Sequence, residues 1–289
     1  MIDLHTHTDE SDGSYSPAQL VQAAVEMGLE ALGICDHDTF AGYDKATPVA
    51  QAAGLQLVCG IEVSTRLRRE SNTRGKSVHL LGYFLHGPPS AEFCAWLEEM
   101  QRRRRERNAQ MAARLAALGV DVSLEEVEAL GRSVAGRPHF ARLLLRKGYV
   151  TTIQKAFDVY LGESGRAYVE RREPDLAEGI RRIAAAGGLP SLAHPLRLGK
   201  HAANLMDRLV GQMHELGLKG IEAYSSEHDP ADVQRFLSIA KHFDLALTGG
   251  SDFHGEGKPG VCLGTGKNGN LSLPRSLLDE LRVRSDSWR

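Results

Sequence analysis

Short apolar runs of strand length alternate with amphipathic stretches of helix length over most of this chain. That alternation restricts it to a parallel sheet or a closed barrel. The runs are Ile2 to Leu4, Ala31 to Cys35, Leu55 to Val63, Ser77 to Leu85, Leu189 to Ala193, Gly220 to Tyr224 and Leu245 to Thr248. Between them the pattern predicts helices. One follows Ser16, an N-cap residue with Pro17 at the first helical position, and ends at Gly28. Others span Tyr43 to Ala53 (closed by Gly54), Ala177 to Ala186, Ala202 to Leu216 and Pro230 to His242. At 289 residues the chain is long for one domain, yet barrels of this type fill that length.

The alternation is interrupted once. The breaker His86-Gly87-Pro88-Pro89 closes the fourth run, and from about Ser90 to Arg172 the periodicity is helical: Ala91 to Leu118, Leu124 to Leu130, Pro138 to Lys147 and Ile153 to Leu161. The expected organisation is an α/β barrel domain of residues 1–88 and 173–289 carrying a mostly α-helical insertion of residues 89–172.

In folds of this class the reacting groups gather at the carboxyl ends of the strands, and here metal-ligand residue types stand there repeatedly. The first run ends in His5-Thr6-His7, with Asp12 following, and the second in Asp36-His37-Asp38. Glu62 lies in Gly60-Ile61-Glu62-Val63 and His79 in the next strand. The fifth run ends in His194-Pro195 and the last in Ser251-Asp252-Phe253-His254. Alternate residues of a strand face one way, so His5 and His7 can reach one ion, as can Asp252 and His254. Imidazole and carboxylate without thiolate suit zinc, manganese or iron rather than a thiolate-rich structural zinc site. Closely spaced cations bind phosphate oxygens, generate hydroxide near neutral pH and stabilise a leaving oxygen. A lone histidine is more often a packing residue; six histidines and three carboxylates at successive strand ends are not.

These motifs, in this order, resemble those of the polymerase and histidinol phosphatase (PHP) family, over residues 1 to about 86 and 175 to 265. The resemblance implies a distorted (β/α)7 barrel with up to three divalent ions. It also implies His5, His7, Glu62 and Asp252 at one ion, Asp12, His37 and His194 at a second, and Glu62, His79 and His254 at a third. Asp12, His37, His194 and His254 are the catalytic candidates among these nine.

The insertion resembles that of the family's small nucleotide phosphatases, which act on 3',5'-bisphosphorylated nucleotides or trim short RNA from the 5' end. The matching features are the arginine-bearing helix and the stretch Gly136-Arg137-Pro138-His139-Phe140-Ala141-Arg142, in which Pro138 stands where a threonine is expected. In Gln101-Arg102-Arg103-Arg104-Arg105-Glu106-Arg107, Arg104 and Arg107 share a helical face, with Arg103 beside Arg107. Guanidinium groups suit bidentate contacts to a second phosphate, whereas the plain alternative is a solvated face paired with Glu98 and Glu99. Arg137, His139, Arg197 and His228 complete the expected substrate contacts, with a cap or surface role the alternative for His139. His86, His201, His214 and His242 read as ordinary surface or packing residues.

Several classes are set aside. The net charge of −2 creates no general field for nucleic acid or membrane, so duplex DNA and a membrane are not expected partners. The chain shows no signal-peptide pattern and no apolar segment of spanning length, and a cytoplasmic protein is expected. Cys35, Cys59, Cys94 and Cys262 show no CxxC spacing; Cys35 and Cys59 read as small hydrophobes. No P-loop is present, and Gly162-Glu163-Ser164-Gly165 lacks the nucleophile-elbow pattern, so metal-activated hydroxide is the expected nucleophile. The alternatives are a phosphatase of a small metabolite such as histidinol phosphate, a non-catalytic metal-binding module, and, more distantly, metal-dependent amide hydrolysis.

Overall fold

A computed structural model describes residues 1–69, 72–199 and 203–288 of the chain; His201, and the helix start expected at Ala202, lie outside the described residues. Seven strands form one sheet in the order β1 (Ile2–Thr6), β2 (Ala31–Ile34), β3 (Gln56–Arg69), β4 (Asn72–Phe84), β5 (Leu189–Leu192), β6 (Gly220–Ser225) and β7 (Ala246–Gly250). The first and last strands meet: Asp252 N donates to His5 O at 2.8 Å and His7 N to Phe253 O at 2.9 Å, so the sheet nearly closes into a barrel. Gly250 permits that approach, because a Cβ there would stand 2.3 Å from His5 N. The fold is the distorted (β/α)7 barrel expected.

One strand departs from the all-parallel expectation. β4 pairs antiparallel with both β3 and β5, while the other neighbours run parallel. A long hairpin therefore replaces one crossover helix, and β3 extends past the barrel rim as an arm. Single strands replace the two shorter runs read from Leu55–Val63 and Ser77–Leu85.

Helices α1 (Pro17–Glu26) and α2 (Ala41–Ala53) follow β1 and β2. Ser16 caps α1 through a capping box with Gln19, and Gly54, at φ 69°, terminates α2. The insertion contains α3 (Ala91–Ala117), α4 (Leu124–Gly131), α5 (Arg137–Arg146) and α6 (Ile153–Ala156), which runs into a π-helical turn, Phe157–Leu161. α7 (Leu176–Ala185), α8 (Ala203–Glu215) and α9 (Pro230–His242) then accompany β5 to β7. Two elements went unread in the sequence: a hairpin of β8 (Val261–Cys262) and β9 (Gly266–Lys267), and α10 (Arg275–Ser287), which buries Leu277, Leu278 and Leu281 against Ile2 and Leu4.

α3, about 40 Å long at 1.5 Å per residue, joins two cores. Its first half packs Phe93, Leu97 and Met100 into the barrel's outer layer, and its second half packs Met111 and Leu115 into a separate core with Val127, Phe140, Leu143, Leu144 and Leu161. The arginine run sits at the joint. No helix among the described residues is long and apolar enough to cross a membrane.

Candidate metal centre and substrate cavity

The expected ligands converge at one end of the barrel. His5 and His7 leave β1; His37 follows β2, His194 follows β5, and Asp252 and His254 follow β7. Glu62 and His79 come instead from within the antiparallel hairpin, where Glu62 makes a bridge with His37. Three ligand groups form. His5, His7, Glu62 and Asp252 are all buried and constitute an inner group; His7, Asp12, His37 and His254 constitute an outer one; His37, Glu62 and His79 constitute a third.

The inner group matches the first ligand set implied by the family resemblance. The other two do not match. Asp12 stands with His254 (3.2 Å) rather than with His194, and His194 Nε2 lies 2.7 Å from Glu62 Oε1, on the oxygen that His79 Nδ1 also meets at 2.7 Å. The physical reason is the loop after β7: the Ser14 N–H donates to His254 O at 3.1 Å and draws that loop over Asp12.

The side chains fit a divalent ion better than a hydrogen-bond network. His5 Nε2 and His7 Nε2 are 3.2 Å apart, and His7 Nε2 also lies 3.1 Å from Glu62 Oε2 and 3.3 Å from Asp252 Oδ1. His7 Nδ1 and His37 Nδ1 are buried and make no hydrogen bond. Buried polar atoms left so are rare, and nitrogens and carboxylate oxygens aimed at a common point are the donor set of a zinc, manganese or iron site. Burial works against ionisation of Glu62, yet the imidazoles of His37, His79 and His5 hold its carboxyl well below the ordinary range. Burial also pushes His37 down to about 3 and lowers His194 and His254. Against their burial, the carboxylates of Glu222, Asp252 and Glu62 raise His5, and hydrogen bonds to Asp252 and Glu62 raise His7 to about 9.

Backbone strain concentrates here. Asp38, His194 and Asp252 all have positive φ (54°, 26° and 55°), a conformation that costs about 1–3 kcal/mol each and persists where surrounding structure enforces it. The enforcing contacts are visible. Asp38 accepts from Ser64 N (2.8 Å), Arg171 (3.2 Å) and Arg104, and Asp252 Oδ2 accepts from Arg197 (2.8 Å) and Lys258.

Glu222, on β6, was missed by sequence reasoning and is central to the arrangement. It is fully buried; Oε1 lies 2.8 Å from His5 Nδ1, and Oε2 accepts from His194 N at 2.6 Å. One carboxylate thus orients one ring and fixes the backbone of another ligand. The signal was an acidic residue inside a buried run, Gly220-Ile221-Glu222, the same triplet as Gly60-Ile61-Glu62. Asp3 and Asp36 are structural by contrast: Asp3 accepts from Ser251 N, Ser251 Oγ and Gly264 N, and Asp36 from Thr8 and Ser11.

Above the ligands lies a cavity of about 330 Å³ that reaches from Asp12, Glu62 and His254 to the insertion. Arg104, Arg107, Arg137 and Arg197 line it, as expected from the sequence; Arg66, Arg142, Arg171 and Lys258 also line it and were not anticipated as contacts. The arginine run divides as its helical phase requires. Arg102 and Arg103 pair with Glu99 and Arg105 with Glu128 on the outside, while Arg104 and Arg107 turn inward. Arg104 is tied to Asp38, whereas burial and the neighbouring Arg104, Arg171 and Arg137 charges hold the Arg107 guanidinium well below its usual range. Arg107 Nε is buried and makes no hydrogen bond among the described residues. Ile153, Phe157, Tyr168 and Pro138 supply an apolar wall to the same cavity.

Two expected contacts need correction. His139 is fully buried; its Nδ1 accepts from Gly136 N at 3.0 Å and caps α5, the alternative role. His228 packs on Phe236, with Nδ1 against Ala223 O at 2.9 Å, and does not line the cavity. In each ring Nδ1 meets a backbone group, while Nε2 is buried and makes no hydrogen bond among the described residues.

The chain belongs to the PHP domain family, whose model matches residues 3–188. That match ends before His194, Asp252 and His254, which the fold brings back to the same site. Among curated relatives, a 5'-3' exoribonuclease from Haemophilus influenzae is 33% identical over 87% of this chain and 89% of its own length. A 3',5'-nucleoside bisphosphate phosphatase from Chromobacterium violaceum is 31% identical over 91% of this chain and 90% of its own. A solved structure described as a metal-dependent phosphoesterase, from Bifidobacterium adolescentis, is 31% identical, superposes with a TM-score of 0.83 and covers 98% of this chain and 96% of that one.

Proposed function

We propose that this chain is a metal-dependent phosphoesterase that removes the 3'-phosphate of nucleoside 3',5'-bisphosphates and trims short 5'-phosphorylated RNA. The observation that carries the reading is a single cavity lined at one end by Asp12, His37, Glu62, His79, Asp252 and His254 of the ligand groups and on its walls by inward arginines and an apolar face. The relatives' activities on bisphosphorylated nucleotides and RNA support it.

His5, His7, Glu62 and Asp252 would hold one ion. Asp12, His37 and His254 with His7 would hold a second, and His79 and His194 with Glu62 a third. Two to three manganese, zinc or iron ions are proposed. Bound ions of this kind polarise phosphoryl oxygens and lower the pKa of water. The remaining work belongs to the chain. Arg107, Arg137 and Arg104 receive the second phosphate through charge-assisted hydrogen bonds. Arg197 and Lys258 hold Asp252 on its outer oxygen and bring positive charge beside the scissile phosphate. Tyr168 and Phe157 offer faces for a base, and Arg137 lies 6.0 Å from the Tyr168 ring centroid. The proposed catalytic set is Asp12, His37, His194 and His254.

A substrate panel tests the reading: phosphate release from adenosine 3',5'-bisphosphate, AMP, histidinol phosphate and a 5'-phosphorylated RNA dinucleotide, with manganese present. Preferred turnover of the bisphosphate, lost on His194→Ala, is the expected result. Turnover of histidinol phosphate alone would replace the nucleotide assignment with the small-metabolite one.

A further inference from the structure

Asp12 and His254 stand on two loops rather than on strands, and the loops meet. His254 Nε2 lies 3.2 Å from Asp12, Ser14 N donates to His254 O (3.1 Å), and Glu256 N donates to Ser14 Oγ (2.9 Å). Arg142, from α5 of the insertion, reaches into this seam: its Nη2 donates to Asp12 O at 2.5 Å. The same nitrogen lies against Gly257, where a Cβ would stand 2.6 Å from it and 3.3 Å from Asp12 O.

The insertion grips the Asp12 loop at three more points. Val134 N donates to Glu10 O at 2.9 Å, Ser133 Oγ donates to the Glu10 carboxylate, and Arg132 pairs with Asp9 at 2.9 Å. Glu10 is itself fully buried and is met from the other side by Lys45 at 2.7 Å. His5, Glu62 and Asp252 have no such support: among the described residues, their hydrogen bonds and ion pairs come from barrel segments alone.

We propose that Arg142 is a positioning residue through which the insertion completes the outer cation site, so that the outer ion is held only while α5 is docked against the Asp12 and His254 loops. The inference rests on the reading that His7, Asp12, His37 and His254 hold a cation. An outer partner of a ligand typically carries about 10–100-fold of metal affinity. Arg142 acts through the Asp12 backbone and the turn at Gly257, and its effect is therefore selective between sites.

The test is manganese binding to chelator-stripped full-length protein, followed by the spectroscopic signal of free ion, with no substrate present. The wild type is expected to show two classes of site, the weaker of which is lost in His254→Ala. Arg142→Ala should weaken that same class about 10–100-fold and leave the tighter class unchanged. Gly257→Ala keeps the arginine but pushes its guanidinium out of the seam, and it should reproduce the selective loss with an unchanged circular dichroism spectrum. Unaltered affinity of both classes in Arg142→Ala and Gly257→Ala would overturn the proposal, as would equal weakening of both. A wild type that binds no manganese would sink the cation reading itself, a separate failure.

Discussion

The inner and outer ligand groups share His7 yet are built by different means. His5, His7, Glu62 and Asp252 lie at or beside strands, are almost wholly buried, and are fixed by carboxylates and cations of the barrel itself. In the outer group Asp12 and His37 are each 14% exposed, while His7 and His254 are buried; Asp12 belongs to a loop that the insertion contacts. Strand registry places the first group as a consequence of folding the barrel. The second depends on contacts between two separately packed cores. The inner ion is therefore expected to bind tightly and the outer ion to exchange, and the cavity is lined by Asp12, His37 and His254 of the outer group together with Glu62 and Asp252 of the inner one.

Removing the carboxylate shared by the inner and third groups has the largest expected effect. Glu62 meets His5, His7, His37, His79 and His194, so Glu62→Gln should lower kcat/KM by about 1000-fold or more, the several kcal/mol that bound metal contributes, with metal content falling at the two groups it serves. Retention of full metal content would break the account of a shared carboxylate. Next, His5→Ala should remove the tight class of ion, whereas His254→Ala should remove only the weak one; elemental analysis after gel filtration separates them. If both variants lose the same ions, the inner and outer groups are one site.

Glu222→Gln sharpens the comparison from behind. It keeps the shape but weakens the hold on His5 and on His194 N, and a loss of about 10–100-fold in affinity for the inner ion is expected. Arg107→Ala touches neither group. It should raise KM for the bisphosphate about tenfold, as for one hydrogen bond to a charged partner, and leave AMP unaffected; an equal loss on both substrates would remove Arg107 from the second-phosphate role. Smallest of all, Ser123→Ala deletes the capping box of α4 and should cost about 1 kcal/mol in denaturant unfolding, with tight-site manganese affinity unchanged because the inner group does not rely on the insertion.

The inner group was the more legible in the sequence because it follows strand periodicity. His5 and His7 two residues apart, and Asp252 at the end of an apolar run, are patterns that alternation alone can place. The outer group was legible in its residue types but not in its partners, since the pairing of Asp12 with His254 depends on how two loops cross. The family resemblance supplied a different grouping for that reason. Glu62 met the site from mid-strand because β3 continues past its parallel pairing with β2, and His79 because β4 runs antiparallel, neither of which the alternation of runs revealed. Periodicity separated the inward Arg104 and Arg107 from the outward Arg102 and Arg105. It could not show that Arg171 would arrive from the return segment, or that His139 would turn its ring back to cap its own helix. α10 escaped notice because its three buried leucines are surrounded by charge, and it is the barrel's need for a floor, not the helix's own composition, that buries them.

A strand-built inner ion and a loop-built outer ion are proposed to act together in phosphoester hydrolysis. The most direct measurement adds manganese stepwise to chelator-stripped protein while following phosphate release from adenosine 3',5'-bisphosphate. The account predicts no turnover from the stripped protein, little after the tight class fills, and a steep rise as the weak class fills. Undiminished turnover by protein verified as metal-free, or full turnover with the tight class alone, would contradict it.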